Sequence, residues 1–190
     1  DEVGSRGLGD VYKRQPFKED WGYVSIVGML MYLANNSRPD IAYAVHQCAR
    51  FTHCQRNSHS VAIKRILRYL QGTKTKGMFI EPSQKLQVDC YVDADFAGLW
   101  GVEDDQNPIC VKSRTGYLIM FMGCPLQWVS KLQTQIALST MEAEYIAFSQ
   151  SMRDLIGIRE IIREMKNYVF LGNMKNPVIR AHSKTFVEIP

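Results

Sequence analysis

The chain has 190 residues, with 23 Lys and Arg against 19 Asp and Glu, for a formal net charge of +4. Hydrophobic residues make up 46% and charged residues 22%, a balance that can build a core and excludes compositional disorder. That length suits one ordinary domain or parts of two. The longest apolar stretch, Val24 to Ala34, is too short to span a bilayer, so no membrane partner is expected.

The charge is unevenly spread. Ile41 to Ile80 holds seven basic residues and no acid, whereas Glu81 to Val111 holds seven acids and one base, Lys85. A basic block beside an acidic one suits polyanion binding next to a carboxylate or metal site; two solvated faces are the plain alternative. The five cysteines (Cys48, Cys54, Cys90, Cys110, Cys124) are scattered without a CxxC, which points to a reducing compartment.

Residues 1–16 have no clear period and three Gly in the first nine positions. They read as a non-native or disordered leader and are set aside, with no secretory signal in them. Helical periodicity starts at Tyr23, with Val24, Val27, Gly28 and Met31 on one face, and stops at Asn35-Asn36-Ser37. Pro39 opens a second helix with Ile41, Ala44, Val45, Cys48 and Ala49 on its apolar face. A third starts near Asn57-Ser58 and ends at Gly72, with Ile63, Ile66, Leu67 and Leu70 as its stripe and Lys64, Arg65 and Arg68 off it. Past Gly77 the period becomes two: Leu86, Val88, Cys90 and Val92 alternate with Gln87, Asp89, Tyr91 and Asp93, a half-buried strand ending in carboxylates. After a polar loop from Gly98 to Lys112, two strands (Arg114 to Met122, Pro125 to Ser130) flank a turn at Gly123. A long helix follows from about Ser139 to Met165, with Met141, Tyr145, Phe148, Met152 and Leu155 on its inner face, and Val178 to Val187 opens a further strand.

Two motifs carry candidate chemistry. Tyr91-Val-Asp-Ala-Asp-Phe-Ala-Gly98 puts Asp93 and Asp95 at a strand end, and Ser139-Thr-Met-Glu-Ala-Glu-Tyr145 puts Glu142 and Glu144 in a helix's first turn. Carboxylates converging from separate elements can hold Mg²⁺, and a pair of such ions supports phosphodiester hydrolysis. The same residues have structural explanations: Asx turns for the aspartates, and a capping box between Ser139 and Glu142. Cys48, Cys54, His46, His53 and His59 invite a zinc reading, but their spacing fits no common finger.

Residues 23 to about 166 resemble the C-terminal part of the polyprotein of copia-type retrotransposons. The resemblance lies in Ser25-IVGMLMYLANNSRPDIAYAV-His46, Ala62-IKRILRYLQG-Thr73, Tyr91-VDADFA-Gly98, Ser113-RTGYL-Ile119, Trp128-VSKL-Gln133 and Ala137-LSTMEAEYI-Ala147. It implies that residues 17–76 are the helical tail of a reverse transcriptase. Residues 84–190 would be a ribonuclease H-like α/β domain, a mixed sheet with helices, incomplete at its C-terminus. The implied activity is hydrolysis of the RNA strand of RNA–DNA hybrids with two Mg²⁺ ions, which Mn²⁺ could replace. Asp93 and Glu142 match metal-binding acids, while Asp95 and Glu144 match no catalytic role. Lys64, Arg65 and Arg68 would face the hybrid backbone. A third acid is expected beyond the chain; Glu188, the one acid between Asn167 and Pro190, sits in a poorly matching setting. The implied partners are the hybrid and the rest of the polyprotein. The implied location is the cytoplasm, in a virus-like particle, with the nucleus as alternative. A nucleic-acid-binding remnant without catalysis is the rival.

Overall fold

The computed structural model describes residues 21–83, 85–98, 108–168 and 178–183. The chain divides between Met78 and Phe79 into two units, each taken by itself below.

The first unit is helical: α1 (Tyr23–Asn36), α2 (Ala42–Ala49), entered through a 3-10 turn at Pro39–Ile41, and α3 (Asn57–Gly72). The buried residues of α1 are Tyr23, Val27, Leu30 and Ala34, an i, i+4, i+7, i+11 stripe. Val24 and Gly28, which periodicity put on the inner face, are exposed. The helix is turned so that the Tyr23 ring enters the core, and its hydroxyl donates to the Cys48 carbonyl at 3.0 Å, tying α1 to α2. Ala42, Val45 and Cys48 of α2 and Ser60, Ile63 and Ile66 of α3 are also buried. Leu67, expected among them, is 39% exposed.

A polar clamp closes this unit. The Arg38 guanidinium donates to both Asp40 carboxylate oxygens, at 3.0 and 2.7 Å. It also donates to the carbonyl and hydroxyl of Thr73, at 3.3 and 2.7 Å. Thr73 is the C-cap of α3, where carbonyls lack helical partners and a cation is favoured. The Tyr69 hydroxyl donates to Asp40 at 2.8 Å, completing the ring of bonds.

The second unit is built on β1 (Gln87–Asp95), β2 (Arg114–Phe121), β3 (Cys124–Leu132), α4 (Thr140–Tyr168) and β4 (Val178–Ser183). The sheet order is β3-β2-β1-β4, with β1 antiparallel to β2 and parallel to β4. Met122 and Gly123, with φ of 53° and 82°, form the two-residue turn between β2 and β3, where positive φ at both positions matches the strand twist. Parallel pairing of β1 with β4 requires a crossover, and α4 lies in that connection. Alternation along β1 puts Val88, Cys90 and Val92 on the face that packs with Tyr117 and Ile119 of β2 and Ala147 and Leu155 of α4.

The face of α4 differs from its expected one. Met141 and Tyr145 are 60% and 65% exposed, and Ala143, Ala147, Ser151 and Leu155 point inward at four-residue spacing. Small side chains let the helix axis approach the sheet, and this outweighs the larger apolar area that Met and Tyr offered. Phe148 and Met152, also expected on the inner face, pack at the margin of the same core. The result is a mixed α/β unit, the class the sequence indicated. Among the described residues no helix is long and apolar enough to cross a membrane.

Candidate functional site

Asp93 and Asp95 lie in the last residues of β1, one of the two interior strands of the sheet. Successive strand residues face opposite ways, so Asp93 is on the face away from Val92. It is half-buried, and its register partner on β2 is Gly116. Asp95 is exposed and folds back over its own turn: a Cβ on Gly98 would run into its carboxyl group. Ala97 there has φ of 47°, and its amide donates to the Ser113 hydroxyl at 3.3 Å. The Asp95 carboxyl therefore lies against the turn after β1, close to Gly98.

Glu142 stands in the first turn of α4 and is exposed. Its amide donates to Ser139 Oγ at 3.1 Å, and its carboxylate accepts from the Leu138 amide at 2.7 Å. This is a capping box reaching one residue further upstream than usual. It holds the Glu142 carboxylate at the helix mouth, where the macrodipole favours negative charge. Glu144, two residues on, is half-buried.

Sequence reasoning gave Gln133 no role. It follows β3, is 1% exposed, and donates from Nε2 to the Ala143 carbonyl at 2.8 Å and to Thr115 Oγ1 at 3.2 Å. It thereby joins the first turn of α4 to β2. Its presence in the Trp128-VSKL-Gln133 motif, as a polar residue directly after a strand, is the available signal. Further along α4, the Tyr117 hydroxyl and Gln127 Nε2 both donate to the Asp154 carboxylate, the latter at 2.6 Å. Burial first, then this bond to Asp154, pushes the Tyr117 phenol well above its ordinary range. Burial likewise raises the Cys90 thiol, against the pull of its hydrogen bond with Ser151.

An open groove of about 570 Å³ runs along the outer side of α4, from Thr134 and Gln135 past Glu142 and Tyr145 to Arg153. Among the described residues no group of three or more His, Cys, Asp or Glu side chains could hold a metal ion. The oxygens of Asp93 and Glu142 are hard donors of the kind Mg²⁺ takes, but the described residues do not by themselves assemble a two-ion centre. Glu188 lies outside the described residues.

In the helical unit, Arg65 and Arg68 are exposed on α3. Lys64 differs from them: it is half-buried, with its amine 5.8 Å from the centre of the Trp21 ring. Of the zinc candidates, Cys48 is buried and Cys54 exposed. His59 stacks on Phe51 and accepts from the Arg56 amide through Nδ1 at 3.2 Å.

Known proteins supply further findings. The chain is 42% identical over 151 residues to the retrovirus-related Pol polyprotein from transposon TNT 1-94 of Nicotiana tabacum, covering 77% of this chain and 11% of that protein. It is 38% identical over 143 residues to the Pol polyprotein from transposon RE1 of Arabidopsis thaliana, covering 75% of this chain and 9% of that protein. It is also 37% identical over 144 residues to a protein named secreted RxLR effector protein 161 of Plasmopara viticola, covering 76% of this chain and 96% of that protein. The chain thus spans about a tenth of the length of the two polyproteins. No family model matches it, and no solved structure does either.

Proposed function

Because the chain belongs to the retrovirus-related Pol polyproteins of copia-type transposons, we propose that residues 84–190 form part of that polyprotein's ribonuclease H domain, with residues 17–76 the tail of its reverse transcriptase. The domain so formed would hydrolyse the RNA strand of RNA–DNA hybrids during reverse transcription. The observation that carries this is one of placement: Asp93 lies in the last three residues of β1, on the face opposite Val92, and Glu142 lies in the first turn of α4, the helix packed on the Val92 face of that strand. The sheet order β3-β2-β1-β4, with a helix in the crossover to the parallel strand, supports a ribonuclease H-like fold.

Asp93 and Glu142 would each give a carboxylate to Mg²⁺ or Mn²⁺, with a further acid supplied from outside the described residues. A divalent ion bound there supplies an activated water and charge stabilisation at the leaving oxygen. Of this chain's own residues, the Leu138 amide orients Glu142. Arg65 and Arg68 would bind backbone phosphates, and RNA would be told from DNA through shape and the 2′-hydroxyl. One relative is named a secreted effector; five free cysteines suit a reducing cytoplasm for this chain instead.

A second reading, a nucleic-acid-binding remnant without catalysis, is favoured by one observation: the described residues bring no three metal-binding side chains together. A labelled RNA–DNA hybrid separates the two. Cleavage that needs Mg²⁺ and disappears in Asp93→Asn supports the nuclease. Salt-sensitive binding without cleavage supports the remnant, and an absence of both binding and cleavage overturns both.

A further inference from the structure

We propose that Gln133 is a positioning residue that fixes where the Glu142 carboxylate stands relative to the end of β1. The inference rests on Asp93 and Glu142 being metal ligands. Gln133 is 1% exposed, so its amide has left water, yet only half of it is rewarded: Oε1 finds no hydrogen-bond donor among the described residues. A buried amide satisfied on one side is a poor stabiliser, and an apolar side chain of the same volume would serve a core better. What the amide does provide is direction. The Ala143 carbonyl can only accept, which assigns the donating nitrogen to that side of the group.

The two bonds from Nε2 join the first turn of α4, which carries Glu142, to β2, the strand paired with the one that carries Asp93. Ala143 is the residue after Glu142, in the first turn of α4. Thr115 is the register partner of Ala94, the residue after Asp93, and its neighbour Gly116 is the partner of Asp93 itself. The Gln133 amide nitrogen also donates to the Ser113 carbonyl at 2.8 Å, so its own backbone is anchored at the start of β2. A helix's first turn frays readily because its amides have no helical acceptors. Here the capping bonds of Ser139 and Glu142 are internal to the turn; Gln133 holds that turn to the sheet.

The test uses the full chain and two variants, Gln133→Leu and Gln133→Met, which keep volume and remove both donated bonds. Amide hydrogen exchange of residues 142–146 should accelerate about tenfold, as expected for a lost buried hydrogen bond, with β1 exchange and the global unfolding midpoint little changed. Affinity for Mn²⁺ alone, read by calorimetry, should fall by about tenfold, in the range for partners that orient metal ligands. Unchanged exchange in the first turn of α4 in a folded variant overturns the proposal. So does a fall in Mn²⁺ affinity matched by a loss of global stability in both variants. Failure of the underlying site has a different signature: Asp93→Asn and Glu142→Gln would bind Mn²⁺ like the parent chain. In that case the clamp on α4 stands on the exchange data, and its role in metal placement is refuted.

Discussion

Asp40 shows how a single side chain makes stability depend on pH. The hydrogen bond from Arg38 holds its carboxyl below the usual carboxylate range, burial opposes this, and the Tyr69 hydroxyl adds to it. A carboxyl with a depressed folded pKa contributes stability that is present above its unfolded pKa and lost as pH falls through the folded one. The helical unit should therefore weaken below about pH 4. Asp40→Asn should flatten that acid limb in urea midpoints measured between about pH 2 and 6. Because the Asp40 side chain is 37% exposed, the effect belongs with surface pairs, about 1 kcal/mol or less. Met122 is a second case. With φ of 53° at the first turn position, it occupies the left-handed region that side chains with a Cβ adopt at a cost of about 1–2 kcal/mol, and Asn less so. Met122→Asn should raise the unfolding midpoint of the sheet unit, and a lowered midpoint would mean that the Met side chain contributes more by packing than the turn loses.

Periodicity located the helices and strands well and their faces less well, for a physical reason. The sequence marks where a stripe of apolar residues exists, but two overlapping stripes compete on α1 and α4, and hydrophobicity alone favours the bulkier. On α4 that choice was Met141 and Tyr145, whereas the sheet accepts Ala143, Ala147 and Ser151, because β1 presents Val88, Cys90 and Val92 and leaves little depth for a large side chain. Close approach of helix to sheet predicts an asymmetry. Ala147→Leu should destabilise the unit by about 1–3 kcal/mol through overpacking. Tyr145→Ala, on the exposed side, should change stability by no more than about 0.5 kcal/mol. Thermal or denaturant unfolding of the two variants checks this, and comparable losses from both would place the wrong face inward. Tyr23 is the counterpart on α1: its hydroxyl bond to the Cys48 carbonyl selects one stripe over the other, and no count of apolar residues contains that bond.

The +4 of the whole chain conceals two regions of opposite sign, which fall in units with separate cores. The acidic candidates were legible because their motifs are local: a strand end and a helix start can each be read from a few residues. Gln133 was not, since its importance lies in reaching Thr115 and Ala143, 18 and 10 positions away. The basic candidates were legible only as a group. Lys64, Arg65 and Arg68 look equivalent in sequence, but Lys64 lies over Trp21 while the arginines stay exposed. That difference yields a sharp expectation for hybrid binding. Each cation withdrawn from a phosphate lowers the slope of log affinity against log salt by about one. Replacing Arg65 and Arg68 together with Ala should therefore reduce the slope by about two and weaken binding to all sequences alike. Lys64→Ala should leave the slope near that of the parent chain and instead loosen Trp21, visible as a shift in tryptophan fluorescence. If Lys64→Ala lowers the slope as much as either arginine change does, the amine leaves its aromatic neighbour on binding and all three cations meet the backbone. If none of the three changes the slope, the hybrid does not bind along α3.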